Sequence, residues 1–155
     1  MLLPLLLLLL LVSSEAAAEG FRPLQTFWSA AREDNTAVAT ADGAASALAA
    51  QYVAAAPDGA VMDAASAAPP GAVPLQTYFS AAFNDSMQVA GAQGRAYAAA
   101  NNYTWVRQEG WVLPAAPATG SGVRLLQFYH SGRRDHYLVA SGTQVFLFKK
   151  KSVKR

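Results

Sequence analysis

Apolar residues are distributed unevenly along the chain, and the densest run is at its start. Residues 1–12 are almost entirely leucine, and small or polar residues with three alanines at 16–18 follow. A run of about a dozen apolar residues is too short to cross a bilayer core of about 30 Å as a helix. It is typical of a secretory signal peptide, for which the alanines supply a cleavage site. We therefore predict a signal peptide at 1–18, a secreted protein and no membrane span in the mature chain; an uncleaved anchor is the alternative.

Beyond this leader, short apolar segments alternate with turns and recur at a constant spacing. The segment Pro23–Asp34 matches Pro74–Asp85 at a shift of 51 residues, and the same shift pairs Tyr52 with Tyr103. A third match, at a shift of 50, covers residues 123–141. One register over the whole unit indicates duplication. The predicted divisions are repeat 1 at 22–72, repeat 2 at 73–122, a partial repeat 3 at 123–148 and a basic tail at 149–155.

Within each unit the pattern predicts strand, turn, strand, short helix and hairpin. Leu24–Ser29 is short, aromatic and preceded by proline, which is typical of a strand. Ala44–Gln51 is rich in alanine and favours a helix, with Asp42 placed to cap it. Gln108–Gly110 separates two apolar segments, which predicts a hairpin turn. Linkers rich in proline, alanine and glycine are expected at Ala64–Ala72 and Pro114–Gly122.

The predicted fold follows from the size of the unit. A single copy of about 50 residues cannot bury its apolar side chains alone, so the copies must pack on one another. We predict a β-rich (α+β) domain with pseudo-threefold symmetry, and a fragment of a propeller-like array is the alternative. Repeat 3 ends differently, with Val145–Phe148 and the basic tail. It is either an atypical terminal repeat or a truncated gene model, and we favour truncation.

Composition removes several classes of function. The 155 residues include no cysteine, which excludes disulfides, thiol nucleophiles and thiolate metal sites. The net charge is +2, but five of the 12 basic residues lie in the last seven positions. Without the leader and this tail, the body has 7 basic and 9 acidic residues. Nucleic-acid binding needs basic residues spread over a packed face, so we predict no nucleic-acid partner.

The recurring motifs resemble a known repeat family. The segments Tyr129–Tyr137 and Tyr103–Val112 carry the resemblance, which covers residues 22–141. The family consists of tandem repeats of about 50 residues in secreted bacterial, fungal and algal proteins, classed as a domain of unknown function. The resemblance implies a β-rich secreted module, sometimes attached to hydrolases, with ligand binding as its expected role. Repeat 1 departs from the pattern, because Ala54 and Ala60 stand where repeat 2 has tryptophans.

An aspartate closes the first turn of every unit, at Asp34, Asp85 and Asp135. A carboxylate at the end of a turn can accept hydrogen bonds from sugar hydroxyls or join a calcium site. It can also accept hydrogen bonds from nearby backbone N–H groups and so cap the turn. Recurrence does not separate these interpretations, because a repeated fold repeats its turns. We favour the structural interpretation.

Aromatic residues supply the other candidate contacts. Each unit has an aromatic pair, and adjacent residues of a strand point to opposite faces, so one member of each pair is expected at the surface. Trp105 and Trp111 make repeat 2 the most aromatic part of the chain, and a single site is expected there. The predicted ligand-binding residues are Trp28, Asp34, Phe79, Asp85, Trp105, Trp111, Tyr129 and Asp135.

Other motifs add little chemistry. His130 and His136 flank Asp135, but neither histidine recurs in the other units, so we predict no metal site and no cofactor. No nucleophile elbow, glycosidase carboxylate pair or nucleotide fingerprint is evident, and no catalytic residue is predicted. Asn84 and Asn102 stand in N-glycosylation sequons.

These observations favour a secreted, non-catalytic binding module. The expected partner is a carbohydrate or a cell-surface ligand, contacted by aromatic side chains and aspartate-bearing turns. One alternative is a structural repeat that self-associates through its incomplete third unit, where an apolar strand can present an open edge. Another is an accessory domain of a secreted hydrolase.

Overall fold

The computed structural model describes residues 20–115 and 122–140. The predicted signal peptide, the basic tail, Val145–Phe148 and most of the second linker lie outside these residues. The described part is 52% strand and 17% helix, which confirms the prediction of a β-rich fold. In chain order the elements are β1 Phe21–Ser29, β2 Asp34–Val38, α1 Ala41–Ala49, β3 Val53–Asp63, β4 Val73–Ser80, β5 Asp85–Ala90, α2 Gly91–Ala100, β6 Thr104–Val112, β7 Leu125–His130 and β8 Asp135–Ala140.

The strands form two antiparallel sheets. Six strands make one curled sheet in the order β2-β1-β3-β6-β4-β5, and β7 pairs with β8 in a second sheet. The two halves of the large sheet are joined by a short pairing of β3 with β6, in which Met62 faces Trp111 and Asp63 faces Gly110. The strands β2, β5 and β8 pack against one another. The second strands of the three hairpins therefore meet at the centre of the molecule.

The three hairpins share a turn geometry. In each, four residues connect the strands, and the last of them has a positive φ: 53° at Glu33, 52° at Asn84 and 56° at Arg134. A left-handed residue at this place brings the chain back into register with the partner strand. An aspartate comes directly after it and opens the second strand. The turn backbone therefore sets the direction in which each aspartate points.

Two alanine-rich helices cover the outer ends of the large sheet. Helix α1 packs through Ala47 and the following Tyr52 onto Phe27 and Val38, because small side chains let the helix approach the strands closely. Helix α2 covers a second apolar cluster, formed by Tyr78, Met87, Val89, Ala98 and Tyr103.

The predicted helix cap was wrong. The hydroxyl of Thr40, not Asp42, accepts the Gly43 N–H at 3.1 Å and caps α1. Asp42 lies in the first turn of the helix, where its negative charge complements the helix dipole.

The predicted hairpin at Gln108–Gly110 was also wrong. Strand β6 continues through this segment, with Gly110 opposite Leu75 and Gln108 opposite Gln76 on β4. Glu109 is the extra residue of a β-bulge. Strand β3 has the same irregularity at Asp58. Acidic residues followed by glycine suggested turns, but here they mark bulges inside long strands.

The bulge turns the Glu109 carboxylate into the interior, where it is fully buried. It accepts hydrogen bonds from the Thr77 hydroxyl at 2.6 Å, from Arg107 Nε at 2.6 Å and from the Ala39 N–H at 2.9 Å. These donors come from β4, from β6 and from the segment between β2 and α1. The paired carboxylate therefore joins the two halves of the sheet from within.

The central apolar core lies where these parts meet. Leu24, Val61 and Leu75 of the large sheet pack with Leu138 of β8. In the described part of the chain, no helix is long and apolar enough to cross a membrane.

We expect Gly110→Ala to destabilise the protein by about 1–3 kcal/mol, the usual cost of overpacking a core. A Cβ at this position would lie 2.4 Å from the Met62 carbonyl oxygen and 2.7 Å from Val61 Cγ2, and the backbone atom cannot move away cheaply. Urea unfolding measures the change. The control is Gly132→Ala, where the nearest atom is an exposed histidine side chain at 3.3 Å, so a small effect is expected. Equal effects at both glycines would contradict the packing argument.

Candidate functional site

Three buried aspartates meet at the centre of the molecule, and we call Asp34, Asp85 and Asp135 the carboxylate ring. Each is only 1% exposed, and each is the first residue of the second strand in its hairpin. One carboxylate oxygen from each lies within 4.8 Å of those of the other two. The packing of β2, β5 and β8 therefore brings together three residues that are about 50 positions apart in sequence.

The ring is closed by a cycle of hydrogen bonds between hairpins. Asp34 Oδ1 accepts the Ser86 N–H at 3.4 Å, and Asp85 Oδ1 accepts the His136 N–H at 2.9 Å. Asp135 Oδ1 accepts the Asn35 N–H at 3.2 Å. Each carboxylate thus bonds to the residue that follows the next aspartate, and the third returns to the first. The aspartates connect hairpins instead of capping their own turns.

The second carboxylate oxygens accept side-chain donors. The Tyr52 hydroxyl donates to Asp34 Oδ2, and the Tyr103 hydroxyl donates to Asp85 Oδ2. Burial, and next the hydrogen bond to the carboxylate, raise the pKa of both tyrosines, so both hydroxyls stay protonated as donors. These contacts explain why a tyrosine recurs after each described helix.

The Oδ2 atom of Asp135 has different donors. It accepts Asn35 Nδ2 at 3.0 Å and the Arg133 guanidinium at 3.0 Å. The guanidinium also lies over the Trp28 ring, 5.4 Å from its centroid. Asp135 is therefore the member of the ring that is paired with a guanidinium.

Crowding of three buried acids changes their titration. Burial, and then the charges of Asp85 and Asp135, raise the pKa of Asp34 from 3.8 to about 8, although its hydrogen bonds to Tyr52 and Ser86 oppose the rise. Burial also raises the pKa of Asp135, against the hydrogen bonds from Asn35 and the charge of Arg133. Burial and mutual repulsion therefore favour the protonated forms of Asp34 and Asp135.

One residue of the cycle, His136, also borders a surface hollow. His136 Nδ1 lies 2.6 Å from Asp85 Oδ2 and 3.3 Å from the Tyr103 hydroxyl. His136 also lines a surface hollow of about 280 Å³, together with Tyr97, Gln127, Phe128 and Tyr129. We call these five residues the aromatic hollow.

The hollow presents aromatic surface to solvent. Tyr97 is 50% exposed, Phe128 40% and Tyr129 53%. The Tyr129 ring packs on His136 with centroids 4.5 Å apart, and Tyr97 approaches the same imidazole edge-on at 6.3 Å. Phe128 stacks on Tyr137 at 5.2 Å. The exposed rings are therefore held by neighbours instead of projecting freely.

The other predicted contact residues lie elsewhere. Trp105 is 53% exposed on β6. Trp111 is half-buried, and its Nε1 donates to the Ser66 carbonyl at 3.1 Å. Trp28 and Phe79 are half-buried. Of the predicted ligand-binding residues, the structure places only Tyr129 in the hollow, and the buried ring is closed to a large ligand from solution.

The sequence missed most of the hollow. Tyr97 is the one aromatic residue of α2, whose other positions are mainly alanine and glycine. A large ring on a helix of small residues was the feature of the sequence that could have indicated a contact surface there. His136 drew notice only as a metal ligand. Gln127 gave no signal at all.

The sequons have different surroundings. Asn84 is half-buried and its Oδ1 accepts a hydrogen bond from Arg32 at 3.0 Å, while Ser86 of the same sequon is buried. Asn102 and Thr104 are both exposed. Of the two sites, Asn102 is therefore the accessible one.

In metal-free buffer with EDTA, we expect the free energy of unfolding to fall as pH rises from about 4 to about 8. The folded-state pKa of Asp34, about 8, exceeds its ordinary value of 3.8, so its contribution is complete below the lower value and is lost as pH rises through the higher one. The raised pKa of Asp135 acts in the same direction. Urea unfolding at several pH values measures the slope.

The matched variant for this measurement is Asp34→Asn, which keeps the size of the side chain and cannot ionise. It should flatten the pH dependence, and the raised pKa of Asp135 should account for part of the slope that remains. The exposed substitution Asp42→Asn should leave the slope unchanged. A slope that is the same in Asp34→Asn and in the unaltered protein would contradict the assignment.

Comparison with known proteins leaves these two features to be interpreted from their geometry. No family model matches the chain, no curated protein matches it, and no solved structure matches it.

Proposed function

We propose that this protein is a non-catalytic binding module that contacts a carbohydrate, free or on a cell surface, through the aromatic hollow. The observation that carries this proposal is the grouping of three exposed aromatic rings around one concave surface of about 280 Å³. Binding sites for small ligands are typically concave, largely apolar and provided with a few polar groups.

The chemistry of the hollow suits a sugar. A pyranose ring has an apolar face, which can stack on the exposed face of Tyr129, and hydroxyls around its edge. The Gln127 amide both donates and accepts hydrogen bonds. With His136 Nδ1 bonded to Asp85, Nε2 is the imidazole nitrogen left for a ligand. The five lining residues thus offer both kinds of contact.

Contacts with neighbouring residues hold the side chains of the aromatic hollow in place, which reduces the entropic cost of ligand binding. His136 is fixed by Asp85, and Phe128 is fixed by its stacking on Tyr137. Side chains that are already ordered lose little conformational entropy when a ligand binds. This favours a recognition surface.

The residues that line the aromatic hollow favour sugar binding over sugar hydrolysis. Glycosidases place two carboxyl groups on either side of the scissile bond. None of the five residues that line the hollow is a carboxylate.

We further propose that the module arose from three copies of one unit arranged with pseudo-threefold symmetry. Three observations support this: the shared turn geometry at Glu33, Asn84 and Arg134, the positive φ at Gln51 and Asn102 after the two helices, and the hydrogen-bond cycle of the ring. Secretion, suggested by the apolar leader, would bring the module to extracellular glycans.

A glycan array of the full chain, followed by calorimetry on the best ligand, tests the binding proposal. Tyr129→Ala should weaken binding by about tenfold or more, because it removes the stacking surface. Phe21→Ala is the matched control, since Phe21 is an aromatic residue of similar exposure on β1, and it should leave affinity unchanged.

Trp105→Ala locates the site. If the hollow binds the ligand, this variant should bind normally. Loss of binding in Trp105→Ala with normal binding in Tyr129→Ala would move the site to β6 and overturn the assignment to the hollow. Failure of the unaltered protein to bind any glycan would overturn the carbohydrate proposal itself.

Self-association is a second candidate function, and the edge of β7 favours it. Strands β1 and β4 each pair on both sides, whereas β7 pairs only with β8 among the described residues. Where β3 pairs with β1, the Thr26 hydroxyl of β1 donates a hydrogen bond to Asp58 of β3. In the same way, the Thr77 hydroxyl of β4 donates to Glu109 of β6. Gln127 stands at the corresponding place of β7, where an added strand with an acidic residue would fit.

Light scattering of the full chain from about 10 µM to about 1 mM tests this second function. Self-association through β7 predicts a molar mass that rises with concentration, and Gln127→Lys should prevent the rise by placing a charge on the edge. A monomer at every concentration would exclude it.

A further inference from the structure

We propose that the carboxylate ring binds a single calcium ion. The ring offers three carboxylates from three hairpins, each 1% exposed, with one oxygen from each within 4.8 Å of the others. Among the described residues, this set of candidate metal ligands includes neither His130 nor His136, the histidines that flank Asp135. The proposal revises the sequence-based prediction that the protein has no metal site.

The charges around the ring are incompletely balanced. Asp135 is paired with the Arg133 guanidinium at 3.0 Å, and Asp85 Oδ2 lies 2.6 Å from His136 Nδ1, within hydrogen-bonding distance. Asp34 is bonded to the Tyr52 hydroxyl and the Ser86 N–H, which are both neutral donors. A buried carboxylate needs a proton or a cation, because burial of an isolated negative charge is costly. A cation at the ring centre would neutralise Asp34 and attract all three acids together.

A buried hydroxyl beside the ring provides the second, independent observation. Ser80 is 1% exposed, and its Oγ has no hydrogen-bond partner among the described residues. Ser80 lies directly opposite Asp85 in the β4–β5 pairing, so the two side chains project from the same face of the sheet. Buried hydroxyls are almost always bonded, and an unpaired one next to a carboxylate cluster calls for a partner. A cation in the ring supplies that partner.

The identity of the cation follows from the ligand atoms and their spacing. Three carboxylates and a hydroxyl form an all-oxygen set, which suits hard cations such as Ca²⁺ and Mg²⁺ and does not suit zinc. Mg²⁺ keeps several of its waters and is seldom held by an all-protein cage, whereas Ca²⁺ is readily bound by protein oxygens in flexible geometry. A buried set of protein oxygens that all lie within 4.8 Å of one another therefore suits calcium better.

The existing hydrogen bonds are compatible with an ion. Each carboxylate oxygen has two lone pairs. Asp34 uses one on each oxygen for its bonds to Ser86 and Tyr52, which leaves one on each oxygen. The ion would bind on the inner side of the ring while the N–H groups remain bonded on the outer side. Calcium would thus be a stabilising ion, and its binding is independent of glycan binding at the hollow.

Thermal unfolding of the full chain at pH 7.5, in 1 mM EDTA and then with 1 mM free CaCl₂, tests the proposal. A Kd of about 10 µM, at the weak end of protein calcium sensors, makes 1 mM about a hundredfold excess. Because calcium binds only the folded state, Tm should then rise by about 5 °C or more. The same concentration of MgCl₂ should produce a smaller rise. Elemental analysis after dialysis against calcium should find one ion per chain.

Two variants separate calcium binding from loss of folding. Asp34→Asn keeps the side-chain size, so it should fold in EDTA, and its Tm should not respond to calcium. Ser80→Ala removes a hydroxyl that holds no hydrogen bond, so its Tm in EDTA should be nearly unchanged and its calcium affinity about tenfold lower. Asp42→Asn, on an exposed helical position, is the control and should respond like the unaltered protein.

The outcomes that overturn the proposal are distinct from a failure to bind glycans. An unaltered protein that retains no calcium and shows no Tm rise would mean that protons alone neutralise the ring. A normal calcium response in both Asp34→Asn and Ser80→Ala would place the ion elsewhere. Glycan binding that is absent while the calcium response is present would leave the ion site standing and remove only the proposed function.

Discussion

The fold depends on three buried carboxylates that each hold the backbone of another hairpin. Two antiparallel strands alone bury too little apolar surface to be stable, so the hairpins need one another. The bonds from Asp34 to Ser86, from Asp85 to His136 and from Asp135 to Asn35 make that dependence mutual. Loss of Asp34 or Asp85 would leave a buried N–H without its acceptor, and such a group costs its full desolvation energy.

The same cycle supports the surface where we place recognition. His136 gives its backbone N–H and Nδ1 to Asp85 in the interior, and its ring carries Tyr129 at the surface. One residue therefore joins a buried carboxylate to an exposed aromatic ring. The position of the hollow is set by the hydrogen bonds of the centre, because the ring of His136 cannot turn without breaking them.

The sequence predicted local elements well and long-range chemistry poorly. Strands and turns were visible because short aromatic segments ended at turn residues, a signal that depends only on neighbouring positions. The aspartates were assigned to their own turns, since nothing local shows that the donor is Ser86, 52 residues beyond Asp34. The Glu109–Gly110 pair suggested a hairpin because bulges and turns use similar residues. The hollow combines one helix and two strands, so no single segment contained its pattern.

The bond between Asp135 and Asn35 spans 100 residues and has a consequence for the order of folding. A chain made from its amino end has the acceptors for two of the three cycle bonds before residue 135 is synthesised, but Asn35 has none. The first two hairpins and their helices can form early through local contacts, whereas the cycle closes only when the last hairpin arrives. Contacts of such long sequence separation slow folding. Until residue 135 has been synthesised, the Asn35 N–H therefore lacks the carboxylate that accepts it in the folded protein.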